Sequence, residues 1–116
     1  DRVNRFVWDQ YEWEERQMSL IGTPYVLDEK EKQITTVLKE EDFDIMNIQL
    51  RAGEEVKEHH ADANVLIVVR KGKVQFTVEG VEHTVTTGTI LHMKPLEKHA
   101  LKALEDSDVV VTKISL

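Results

Sequence analysis

Strict alternation of apolar and polar residues is the feature that most constrains this chain. Met46, Ile48 and Leu50 alternate with Asn47 and Gln49, and Val74, Phe76 and Val78 alternate with Gln75, Thr77 and Glu79. Successive side chains of a strand point to opposite faces, so each run describes a strand with one buried face. Val65-Leu66-Ile67-Val68-Val69 is apolar without interruption, which predicts a strand covered on both faces. Val81–Val85, Thr89–Met93, His99–Leu104 and Val109–Ile114 complete the set of expected strands.

Turn signals separate these runs at short intervals: Ala52-Gly53, Lys71-Gly72, Glu79-Gly80, Thr87-Gly88, Lys94-Pro95 and Glu105-Asp106-Ser107-Asp108. Many short strands with glycine-marked turns indicate a sandwich or barrel. An antiparallel sheet must hide its edges, and a jelly roll does so in about this length. The basic cluster Arg70-Lys71-Gly72-Lys73 reads as a solvated hairpin tip. Residues 1–32 differ: they hold both tryptophans and both tyrosines, and a partly helical spacing predicts a short helix around Asn4 to Met18. Gly22, Thr23 and Pro24 then break the chain. The expected organisation is an N-terminal extension over residues 1–32 and one barrel domain over residues 33–116.

Charge narrows the partners. With 22 acidic against 15 basic residues the net charge is −7, which repels phosphate backbones and argues against nucleic acid. No apolar run approaches membrane-spanning length, so no membrane segment is expected. The absence of cysteine excludes a disulfide framework and a thiolate metal site, and fits a reducing cytoplasm. There is no phosphate loop, no nucleophile elbow and no pair of carboxylates at a telling spacing.

Two stretches resemble the paired motifs of the cupin family. GEEVKEHHADANVLIVVRKG runs from Gly53 to Gly72, and GTILHMKPLEKH runs from Gly88 to His99. The family patterns are Gly, five residues, His-x-His, three or four residues, Glu, six residues, Gly, and then Gly, five residues, Pro-x-Gly, two residues, His. The resemblance covers about residues 33–116 and implies an all-β double-stranded β-helix, the cupin form of the jelly-roll barrel, with the N-terminal helical segment outside it. It places His59 and His99 on two of the family's four metal-ligand positions. The other two fall on Ala61 and on Val65 or Leu66, which have no donor atoms, and Lys94 stands where proline is usual. The ligand set is thus degenerate.

Imidazole is a good donor for first-row divalent metals, so His59, His60 and His99 are the metal candidates, an incomplete set. His60 is the neighbour of His59 and shares its face only across a bulge. Asp62 would reach the site only if its loop curled back. Val56, Glu58 and His60 share one phase and Lys57, His59 and Ala61 the other, and the family spacing favours His59 as the inward residue. Val65, Ile67, Phe76 and Met93 are the expected ligand-pocket residues. His83 reads as a partly buried ring between Val81 and Val85, and His92 points away from Leu91 and Met93. Three functions stay open: a binder of a small molecule in the barrel, with or without a weakly held divalent transition metal; a metal-dependent dioxygenase or isomerase; and a ligand-free structural or interaction domain. Catalytic residues are not identifiable from the sequence. The apolar strand and the N-terminal aromatics favour a homodimer.

Overall fold

The computed structural model describes residues 19–116. The expected helix around Asn4 to Met18 lies outside them. Among the described residues nine strands follow one another: β1 (Lys32–Lys39), β2 (Phe43–Leu50), β3 (Glu55–His59), β4 (Ala63–Lys71), β5 (Val74–Val78), β6 (Val81–Val85), β7 (Ile90–Met93), β8 (His99–Ala103) and β9 (Ser107–Ser115). They form a five-stranded sheet in the order β1-β2-β9-β4-β7 and a four-stranded sheet in the order β3-β8-β5-β6. Every recorded pairing is antiparallel. The architecture is the all-β jelly roll that the alternation predicts.

The core lies between the two sheets and is built from the inward phase of each strand. Val65, Ile67 and Val69 of β4 face Val74, Phe76 and Val78 of β5, with Ile48, Leu50, Leu101, Val109 and Val111 around them. Burying a side chain such as Phe76 contributes roughly 2–3 kcal/mol, so this two-residue period is what holds the sheets face to face. Among the described residues the outer face of the apolar run of β4 is only partly covered: Leu66 is half-buried and Val68 is 40% exposed. This corrects the expectation of a strand buried on both sides.

The opposite correction applies to β2. Asn47 and Gln49, the polar phase of that strand, are both buried. The segment before β1 runs across the outer face of the sheet and is bonded to it. Gln49 Nε2 donates to the Pro24 carbonyl at 2.8 Å and to Asn47 Oδ1 at 2.8 Å, while the Val26 N–H donates to Gln49 Oε1 at 2.9 Å. Asn47 Nδ2 donates to Asp108 Oδ1 at 2.7 Å, and Arg70 pairs with Asp108 at 2.7 Å and donates to Thr23 Oγ1 at 2.7 Å. Buried polar groups persist when each finds a partner, and this chain of contacts supplies them. Leu27, beside it, is buried.

The basic cluster is accordingly not a free hairpin tip. Arg70 belongs to that network, Lys73 lies 3.7 Å from Glu105, and the turn at Gly72 carries the chain from one sheet to the other. Gly72 has φ +90°, and a Cβ there would collide with Ser107 Oγ and the Asp106 carbonyl. Only glycine satisfies both the dihedral and the close approach.

Candidate functional site

One end of the space between the sheets is not filled by side chains. A cavity of about 90 Å³ opens there, lined from the five-stranded sheet by Ile34, Met46, Ile48, Val65, Ile67, Val111 and Lys113. From the other side come Val56, His59, Ala61, Phe76, His99 and Leu101. The lining is mostly apolar with a few polar groups converging, the usual make-up of a small-molecule site.

The two histidines meet because their strands pair. His59 of β3 is directly opposite His99 of β8, and their rings lie 4.2 Å apart between centroids at 65°, edge to face. Val56 and His59 both line the cavity although their spacing puts them on opposite faces of a regular strand. The register of β3 against β8 breaks between those two residues, and this irregularity lets His59, itself still exposed to solvent, border the cavity. The ambiguity between the two phases of β3 is therefore resolved by a change of phase within the strand.

Each ring is held by its own backbone. Nδ1 of His59 is 2.9 Å from the Lys57 carbonyl and Nδ1 of His99 is 3.0 Å from the Glu97 carbonyl. A carbonyl only accepts, so both Nδ1 atoms carry the proton, and the neutral rings keep their lone pair on Nε2. His99 is 5% exposed, and burial lowers its pKa below the usual 6.5. The bond to the Glu97 carbonyl opposes that shift, while the nearby charges of His59, Lys113 and His60 add to it.

Lys113 is the site residue that sequence reasoning missed. It continues the inward phase of β9 after Val109 and Val111, and lies opposite Asp44 of β2 and Val65 of β4. Its signal was present as a lysine falling on the apolar phase of a period-two strand. Asp44 does not line the cavity; its carboxylate is 3.4 Å from Lys39 Nζ.

The other expected residues are distributed as follows. Val65, Ile67 and Phe76 line the cavity, and it is Val65, not Leu66, that faces inward. Met93 is buried in the core but does not line it, because β7 flanks β4 on the side away from β9, whereas the cavity opens toward β9, β2 and β1. His60 and Asp62 are exposed and outside the lining. His83 is exposed, not partly buried, on the edge strand β6. His92 faces outward and its Nε2 lies 2.8 Å from Asn64 Oδ1.

The positions that would complete a family metal site are in the right place and lack the right atoms. Ala61 and Val65 both line the cavity beside His59 and His99, and neither has a donor. Among the described residues no three potential ligands cluster, and the positive charge of Lys113, a lining residue whose field already disfavours a proton on His99, disfavours a cation there. The residues present do not fit a resident divalent metal, which needs more than two protein donors to be held well. No helix among the described residues is long and apolar enough to cross a membrane.

The family model described as "Cupin domain" matches residues 45–115. A search of curated protein sequences returns no match. Among solved structures, an RmlC-like cupin with a double-stranded β-helix fold from Methanocaldococcus jannaschii is similar with a TM-score of 0.75 at 21% identity, over 84% of this chain and 91% of that one. A conserved protein of unknown function from Streptococcus pyogenes gives 0.72 at 18% identity, over 87% of this chain and 98% of that one. KdgF from Halomonas sp. gives 0.65 at 19% identity, over 77% of this chain and 91% of that one. At these identities the structural likeness speaks for the fold, while the family model covers well over half of the chain; the protein is a member of the cupin family.

Proposed function

We propose that this cupin is a binding protein that takes a small, largely apolar molecule into the cavity between its sheets. The observation that carries the reading is the lining itself: ten aliphatic and aromatic residues around the facing pair His59 and His99. A small barrel ordinarily fills its interior with side chains, so an unfilled apolar space with convergent polar groups marks a ligand site. A metal-dependent enzyme would need donors that Ala61 and Val65 do not supply.

A fragment titration followed by methyl NMR tests the reading. Shifts are expected to concentrate on Val65, Ile67, Val111 and Met46, and Ala61→Phe, which fills the mouth of the space, should abolish them while leaving the fold intact. Shifts that survive Ala61→Phe unchanged would place binding elsewhere and defeat the proposal.

A further inference from the structure

We propose that the molecule taken by the cavity is a small organic anion, a carboxylate on a short branched or cyclic apolar tail, with its charge met by Lys113 and its second polar contact made by the His59–His99 pair. The inference rests on the reading of the cavity as a ligand site and adds the chemical class of the ligand.

Among the described residues, the ionisable side chains that line the space are Lys113, His59 and His99, and none is a carboxylate. That is opposite to the composition of the chain, in which acidic residues outnumber basic ones 22 to 15. Lys113 is also on the wrong phase for a solvation role. It follows Val109 and Val111 on the inward face of β9, where an apolar residue would extend the core at no cost in desolvation. The acid nearest in register, Asp44, points its carboxylate to Lys39 and not into the cavity. An ammonium has three donors and no acceptor, so the partner it favours in an apolar space is an anion.

The imidazoles fit the same partner. Their Nδ1 atoms are committed to the Lys57 and Glu97 carbonyls, which fixes both rings and leaves Nε2 as the group each offers. In the empty site each Nε2 carries a lone pair, so the second contact requires that one Nε2 take up a proton together with the ligand, which the adjacent carboxylate favours. The carboxylate between it and Lys113 then receives two charge-assisted hydrogen bonds. The tail is limited by the rest of the lining: Ile34, Met46, Ile67, Phe76 and Val111 contribute no hydrogen-bonding side chain, and about 90 Å³ admits only a few heavy atoms beyond the carboxylate. A polyanion or a sugar phosphate does not match so small and apolar a space.

The test compares isobutyrate with isobutyramide, which has nearly the same shape and no charge, by methyl NMR titration of the full chain at neutral pH. Isobutyrate should bind about tenfold more tightly than the amide, the scale of a charged hydrogen bond. Lys113→Gln should remove that preference while leaving amide binding as it is. Lys102→Gln, which removes the same charge from the outward face of β8, should leave the preference intact and so separates a local contact from net charge. Melting curves establish that both variants are folded. Equal affinities for acid and amide, or a preference that survives Lys113→Gln, would overturn the anion assignment and leave the cavity as a ligand site. If neither probe shifts the cavity methyls, the ligand site and its anion fail together.

Discussion

His99 shows how one residue carries a fold position and a chemical property at once. It is in register with His59 and Val78, its ring is fixed by the Glu97 carbonyl, and burial lowers its pKa below 6.5. A buried histidine held neutral makes stability depend on pH with a definite sign. Between the folded value and 6.5 the unfolded chain binds the proton and the folded chain does not, so stability is fully present above 6.5 and is lost as pH falls through the folded value. The expected result is that melting temperature drops between about pH 7.5 and pH 5.5, and drops less in His99→Gln. An equal drop in both proteins would assign the effect to other groups. The histidine pair was legible in the sequence because motif spacing alone marks both residues. Lys113 was not, since a single lysine near a strand end reads as surface until the strand's phase and neighbours are known. Val65 and Leu66 were likewise inseparable until the inward phase of β4 was seen.

At the scale of elements, the turns were readable and the irregularities were not. Glycine at Gly53, Gly72 and Gly80 marks positions with positive φ, and each ends a strand as its turn signal predicts. The register break in β3 leaves no such mark: it arises from how β3 pairs with β8, a relation that no local pattern encodes. The buried amides of β2 were hidden for the same reason, because what covers Asn47 and Gln49 is a segment more than twenty residues away in sequence. Two turn positions make opposite predictions. Gly72→Ala combines a strained φ with a collision against Ser107 and Asp106, and should cost about 2–4 kcal/mol. Leu96 has φ +68° in the second motif, where the family pattern has glycine, and its N–H donates to the Ala61 carbonyl at 2.9 Å beside the cavity. Leu96→Gly relieves a left-handed leucine at some entropic cost in the unfolded chain, a balance of roughly 0.5–1 kcal/mol in favour of glycine. Urea midpoints of the two variants should move in opposite directions. A Gly72→Ala protein as stable as the parent would show that the turn is free to relax.

Across the whole molecule, the two faces of the five-stranded sheet differ in how they are covered. The inner face meets the second sheet. The outer face is crossed at one end by the segment containing Thr23, Pro24 and Val26, bonded through Gln49 and Arg70. Beyond that segment Val68, Val110 and Ile90 are aligned by register across β9, β4 and β7, and Ile90 is 69% and Val68 40% exposed. The sequence of β4 is that of a strand buried on both sides, yet among the described residues one side is buried and the other is left with Leu66 half-buried and Val68 exposed. We propose that a second copy of the chain covers this outer stripe. Burial of aligned β-branched side chains favours association, and a two-fold arrangement would place the same stripe of each copy against the other without leaving an open, polymerising face. Val68→Glu puts a charge at the centre of the stripe without touching the core, so it should weaken the dimer by more than tenfold while leaving the melting curve of the isolated fold and the cavity's ligand preference unchanged. Sedimentation equilibrium at tens of micromolar, an ordinary working range for a stable interface, is the check. The parent should sediment as a dimer and Val68→Glu as a monomer; a monomeric parent, or a dimer indifferent to the charge, would mean that the stripe is not the contact.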